Sequence, residues 1–163
     1  MDHAAELNAD AGRVVLIGFG LGAIPATLAP TNLADEEDEG DEGRVAGLAV
    51  LSGVFDLEAV RHTFLNAQLQ IDQASAATHQ PFRIVGSLPR PRPTVWLAVG
   101  EQETDEFHRN MVLFARVADD GGCPLSASTA KGHNHFSLLA ELANPSSSIT
   151  TELIAVFGAQ DWS

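Results

Sequence analysis

The chain has 163 residues, 45% of them apolar, which is enough for one domain with a sizeable core. A net charge of −13 argues against nucleic acid or an anionic membrane as a partner, and no apolar run approaches the roughly 18 residues of a membrane span. Cys123, the sole cysteine, forbids an internal disulfide and fits a reducing, cytoplasmic setting; its plainest reading is a small buried residue at a strand start.

The first twenty residues carry acids and no basic region, so no secretory signal is expected. Asp2 to Asn8 reads as the last turns of a helix, and Asn8 to Gly12 as a turn. Val14-Val15-Leu16-Ile17 then reads as a buried strand of a parallel sheet, starting at Arg13. Gly18-Phe19-Gly20-Leu21-Gly22 allows a sharp turn into a helix beginning at Ala23. Three readings of that turn stay open. Gly18 to Ala23 satisfies the G-x-G-x-x-A dinucleotide fingerprint. The same glycines match the G-x-S-x-G nucleophile elbow, with Gly20 where the serine belongs. A plain strand–helix turn is the third.

Seven acids crowd into Asp35 to Glu42, within an expected flexible loop at about 33–44. No histidine or fixed ligand spacing marks that block as a metal site. Val45 to Ser52 reads as the second strand, followed by a helix from Leu57 to His62. Thr63 to Leu88 reads as irregular, with a short helix over 72–79. Thr94 to Gly100 is the third strand. Phe107, Met111, Phe114 and Val117 give one apolar face to a helix over 104–118. Cys123 to Thr129 is the fourth strand and Phe136 to Leu142 a helical turn. The last helix, Thr150 to Phe157, is expected to be capped by Ser148 or Thr150. Strands alternating with helices predict an α/β fold, a parallel sheet of about four strands with helices on both faces.

The loops after the strands separate the readings of the glycine turn. A dinucleotide site needs an acid at the tip of the next strand, about 20 residues on. Asp38 has that spacing but sits in the acidic block, with no strand leading into it. A hydrolase triad needs the order nucleophile, acid, histidine. Glu101, Glu103 and Asp105 follow the third strand, and His133 and His135 follow the fourth. Parallel strands deliver these loops to one sheet edge, beside the elbow.

Leu51-Ser52-Gly53-Val54-Phe55-Asp56-Leu57, Gly100 to Asn110 and Asn134-His135-Phe136 resemble arylformamidases (kynurenine formamidases) and related carboxylesterases of the α/β-hydrolase fold. The likeness runs from about Ala4 to Phe157. It implies a three-layer αβα fold and acyl transfer on a small formyl or acyl substrate, with no cofactor and no metal. It assigns His135 as general base and Glu103 as the acid, with Asp105 as the alternative. Gly20 takes the nucleophile position and the Leu21 N–H an oxyanion-hole position. The family's His-Gly-Gly oxyanion motif occurs nowhere in the chain. Residues 1–163 are therefore expected to form a single, partial α/β-hydrolase domain, the C-terminal part of such an enzyme, and to be catalytically silent. Ser52 lacks flanking elbow glycines and is expected to make a structural hydrogen bond. The open edge of the first strand predicts a homodimer or a complementing chain.

Overall fold

The computed structural model describes residues 6, 14–34, 45–88 and 90–158. The helix expected over 2–8 (apart from Glu6), the turn at 8–12, Asp38 and the acidic block lie outside these residues.

Four parallel strands form one sheet in the order β1-β2-β3-β4. They are β1 (Val14–Phe19), β2 (Val45–Leu51), β3 (Thr94–Gly100) and β4 (Leu125–Ala130). Their registers pair Phe19 with Leu51, Leu51 with Ala98, and Gly100 with Ala130. All four carboxyl ends thus reach the same sheet edge. β2 and β3 are the central strands, and their continuous apolar sequences match near-complete burial on both faces.

Alternation along these strands feeds two cores. Leu48, Val50, Val95 and Leu97 pack with Phe55, Phe114 and Ala118 on one face. Ala49, Leu51, Trp96 and Ala98 pack with Leu138 and Ile149 on the other. Helix α1 (Ala23–Ala34) and helix α6 (Asp105–Asp120) contribute to the first core. Helices α7 (His135–Ala140) and α8 (Ser148–Gly158) cover the second. The three-layer αβα arrangement follows. Among the described residues no helix is long and apolar enough to cross a membrane.

Several sequence-based boundaries shift, for local reasons. The 63–88 stretch is more helical than expected: α2 (Leu57–Arg61) is followed by α3 (Asn66–Leu69), α4 (Gln73–Thr78) and α5 (Pro81–Ile84). Side-chain caps start two of these pieces: Asp56 accepts from the Glu58 and Ala59 N–H groups at α2, and Asp72 from the Ser75 N–H at 2.7 Å at α4. Cys123 is not in β4, because its N–H closes the end of α6 on the Ala118 carbonyl and Pro124 has no N–H to give. Burial there pushes the thiol pKa up. Helix α8 is capped by Ser147, not Ser148 or Thr150: the Ser147 hydroxyl accepts from the Thr150 N–H at 3.0 Å.

Candidate active site

The turn after β1 has the geometry that the glycine pattern requires. Phe19 is extended (φ −123°), Gly20 adopts φ +55°, and a single 3₁₀ turn over Gly20–Gly22 leads into α1. A left-handed φ is costly for residues with a Cβ and free for glycine. A Cβ built on Gly20 would meet His135 Nε2 at 3.5 Å and Cε1 at 3.6 Å, ordinary van der Waals contact. Position 20 therefore points its side-chain direction at the imidazole.

His135 is the first residue of α7, and a capping box fixes that helix start. The Asn134 side chain accepts from the Phe136 and Ser137 N–H groups at 3.1 and 3.0 Å, while the Ser137 hydroxyl accepts from the Asn134 N–H at 2.9 Å. Phe19 and Phe107 pack on the ring with centroids at 4.4 and 4.8 Å, and Phe136 meets it edge-on at 5.3 Å. The imidazole is left 25% exposed.

Its Nδ1 lies 2.8 Å from Glu103 Oε2, and the Glu103 side chain is 1% exposed. The other carboxylate oxygen, Oε1, accepts from the Gly100 N–H at 2.7 Å and from the Ser52 hydroxyl at 2.5 Å. Where the carboxylate is the acceptor and the ring is neutral, the proton sits on Nδ1 and the Nε2 lone pair faces position 20. Backbone contacts bring the two loops together: Gln102 N–H donates to His133 O at 2.9 Å, and Glu101 N–H to Ala130 O at 2.9 Å. Gly100 permits this approach, since a Cβ there would lie 2.4 Å from His133 O.

The structure thus brings together Gly20, Glu103 and His135. Asp105 stays apart from this cluster in its role: it is exposed at the first position of α6, where its charge suits the helix N-terminus. Leu21 lies in the 3₁₀ turn directly after Gly20. The ribose-binding acid of a dinucleotide site would sit at the tip of β2; that place holds Ser52, its hydroxyl bound to Glu103. Among the described residues no group of three or more His, Cys, Asp or Glu is placed to hold a metal ion.

Sequence reasoning missed three parts of the site. Ser52 makes the structural hydrogen bond expected of it, but its partner, Glu103, is distant in sequence and no local pattern names it. Phe19 reads as part of the glycine turn and Phe107 as part of an apolar helix face, yet both pack on the imidazole. Asn110 is buried in α6 and ties that helix to the loop after β2, its Oδ1 accepting from the Phe55 N–H at 3.0 Å. A lone amide on an apolar helix face was the available clue.

No family model matches the chain. It is similar to a kynurenine formamidase of Danio rerio, 21% identical over 117 residues, which is 71% of this chain and 40% of that protein. Among solved structures it is similar to a thioesterase-like protein from Silicibacter, with 22% identity and a TM-score of 0.71, over 96% of this chain and 54% of the other. An acetyl ester-xyloside bifunctional hydrolase from Caldicellulosiruptor lactoaceticus gives 19% identity and a TM-score of 0.70, over 97% and 60%. A carboxylesterase from Lactobacillus plantarum gives 14% and 0.64, over 91% and 55%. The chain spans about two fifths of the curated relative it matches and 54–60% of these solved chains. The fold is that of the α/β hydrolases.

Proposed function

We propose that this chain is a formamidase- or esterase-type α/β-hydrolase domain that keeps the acid–base half of a catalytic triad and lacks its nucleophile. One observation carries the reading: His135 Nε2 faces the side-chain direction of position 20, and position 20 is glycine. With a serine there, the imidazole would take the hydroxyl proton as the oxygen attacks an acyl carbon. His135 would later return that proton to the leaving amine or alcohol. Glu103 would hold the ring in the productive tautomer and stabilise its charged form, while the Leu21 N–H would meet the oxyanion. Gly20 has no oxygen to attack with, so no acyl-enzyme forms. Loss of the nucleophile in a serine protease costs about six orders of magnitude in turnover.

The ligand in this reading is a small formyl or acyl compound held beside His135, in a reducing, cytoplasmic setting, and the chain is silent toward it. The same reading includes a homodimer or a complementing chain at β1. It is supported by Ile17, which is 54% exposed on that edge strand.

The test is hydrolysis of N-formylkynurenine and of p-nitrophenyl esters by the purified chain beside its His135→Ala variant. Both proteins are expected to match the buffer rate. Turnover that His135→Ala abolishes overturns the reading.

A further inference from the structure

Ser52 is a buried residue that the reaction as described does not use. It follows β2 directly, is 1% exposed, and adopts φ +49°, one of two non-glycine residues with a left-handed backbone among those described. A backbone held in that region costs free energy and persists where its surroundings fix it. Here they do. The Ser52 N–H donates to Ala98 O at 2.7 Å, continuing the contact between β2 and β3. With the amide pinned, the left-handed turn goes together with a hydroxyl that reaches Glu103 Oε1 at 2.5 Å.

The consequence lies in the Glu103 carboxylate. Its terminal torsion is intrinsically soft, with a broad two-fold preference. Two donors on Oε1, the Ser52 hydroxyl and the Gly100 N–H, remove that freedom and leave Oε2 for His135 Nδ1 at 2.8 Å. The Gly100 N–H belongs to the end of β3 and is supplied by the backbone whatever the side chains are. The Ser52 hydroxyl is the donor that depends on a side chain. We propose that Ser52 is a positioning residue: by holding Oε1 it keeps Glu103 turned toward His135, so that the imidazole carries its proton on Nδ1 and presents the Nε2 lone pair to position 20. The proposal rests on the reading of Glu103 and His135 as an acid–base pair. It goes beyond that reading by assigning the pair's alignment to a strained serine on a different strand.

The test uses the full chain and needs no turnover. Nitrogen-15 histidine NMR, at a pH where the imidazole is neutral, reports the tautomer of His135, whose signals are identified by their loss in His135→Ala. The wild-type chain is expected to hold the Nδ1–H form. Ser52→Ala and Ser52→Gly are both expected to shift His135 toward the Nε2–H form that free histidine favours. Glycine accepts φ +49° freely, so Ser52→Gly is expected to melt no lower than Ser52→Ala while shifting the tautomer equally. Ser52→Gly also carries the test if Ser52→Ala does not fold. A folded variant that retains the Nδ1–H form overturns the positioning role and leaves the acid–base pair standing. A wild-type His135 already in the Nε2–H form overturns the pair, and the positioning role with it.

Discussion

The two halves of the candidate site are built differently. The acid–base side is built on side chains: Glu103 takes donors from the Ser52 hydroxyl, the His135 ring and one backbone group, the Gly100 N–H, and three phenylalanines surround the ring. On the nucleophile side, only backbone geometry remains. The elbow keeps its sharp turn at φ +55°, and glycine adopts that conformation without strain. A turn of this kind is held by the strand before it and the helix after it, so it outlasts the loss of the residue at its tip. A buried carboxylate is not so tolerant. Its donors each lose a partner if it goes, which ties Ser52, Gly100 and His135 to the presence of Glu103.

Removing Glu103 should therefore have the largest effect. Glu103→Ala leaves the Ser52 hydroxyl and the Gly100 N–H without their acceptor in a dry site, and each unsatisfied buried donor costs about 1–3 kcal/mol. A loss of about 3 kcal/mol is expected in urea unfolding, with an unchanged slope. A loss below about 1 kcal/mol would mean that water reaches the pocket and the two halves are equally loose.

The nucleophile half should respond less. Gly20→Ser fits sterically, since its Cβ meets His135 at ordinary contact distance, but it must adopt φ +55°. The expected cost is about 1 kcal/mol in the same unfolding experiment. The new hydroxyl should become labelled by a fluorophosphonate, and a second change, His135→Ala, should abolish the labelling. Ester turnover should stay near the buffer rate, because the Leu21 N–H is the single oxyanion donor that the motif supplies. Recovery to the order of 1–1000 per second would show the oxyanion hole completed by another group.

This asymmetry explains what the sequence made legible. β3 was readable to the residue, because Val95 to Val99 is apolar throughout, prolines precede Thr94 and Gly100 ends the run. Gly20, Glu103 and His135 were readable because chain order and strand-end placement are one-dimensional facts that a parallel sheet converts into proximity. The contacts that hold the acid were not. Ser52 meets Glu103 only because register places the end of β2 beside the end of β3, and nothing near Ser52 announces a left-handed backbone. The same holds for the short helices between Asn66 and Ile84, which are four to six residues long and carry no long apolar stripe for a sequence pattern to catch.

The choice between the two acids after β3 can be sharpened by a smaller change. Asp105 is exposed at the start of α6 and interacts with that helix's N-terminus. Asp105→Asn should cost about 0.5 kcal/mol through the helix dipole and leave the His135 tautomer as it was. Glu103→Gln, in contrast, presents an amide to Nδ1 and should convert the ring to the Nε2–H form. A tautomer change in Asp105→Asn and none in Glu103→Gln would reverse the assignment.

The smallest effect belongs to the next residue, Glu106, which shares the first turn of α6 but faces another partner. Arg109 donates to both its oxygens, at 2.9 and 2.7 Å, and holds its carboxyl below the usual glutamate range; a bond from Asn110 Nδ2 at 2.8 Å adds to this. The sign follows from linkage. A carboxyl with a lowered folded pKa contributes stability above its unfolded value, and that contribution is lost as pH falls toward the folded one. Both side chains are about half exposed, so solvent screens the pair and only a few tenths of a kcal/mol are expected. Glu106→Gln should flatten the stability–pH curve below about pH 4.5 by that amount and leave the neutral-pH tautomer of His135 unchanged. A tautomer response to Glu106→Gln would instead place the first turn of α6 within the acid–base half of the site, and the contrast between the two halves would have to be redrawn around that helix.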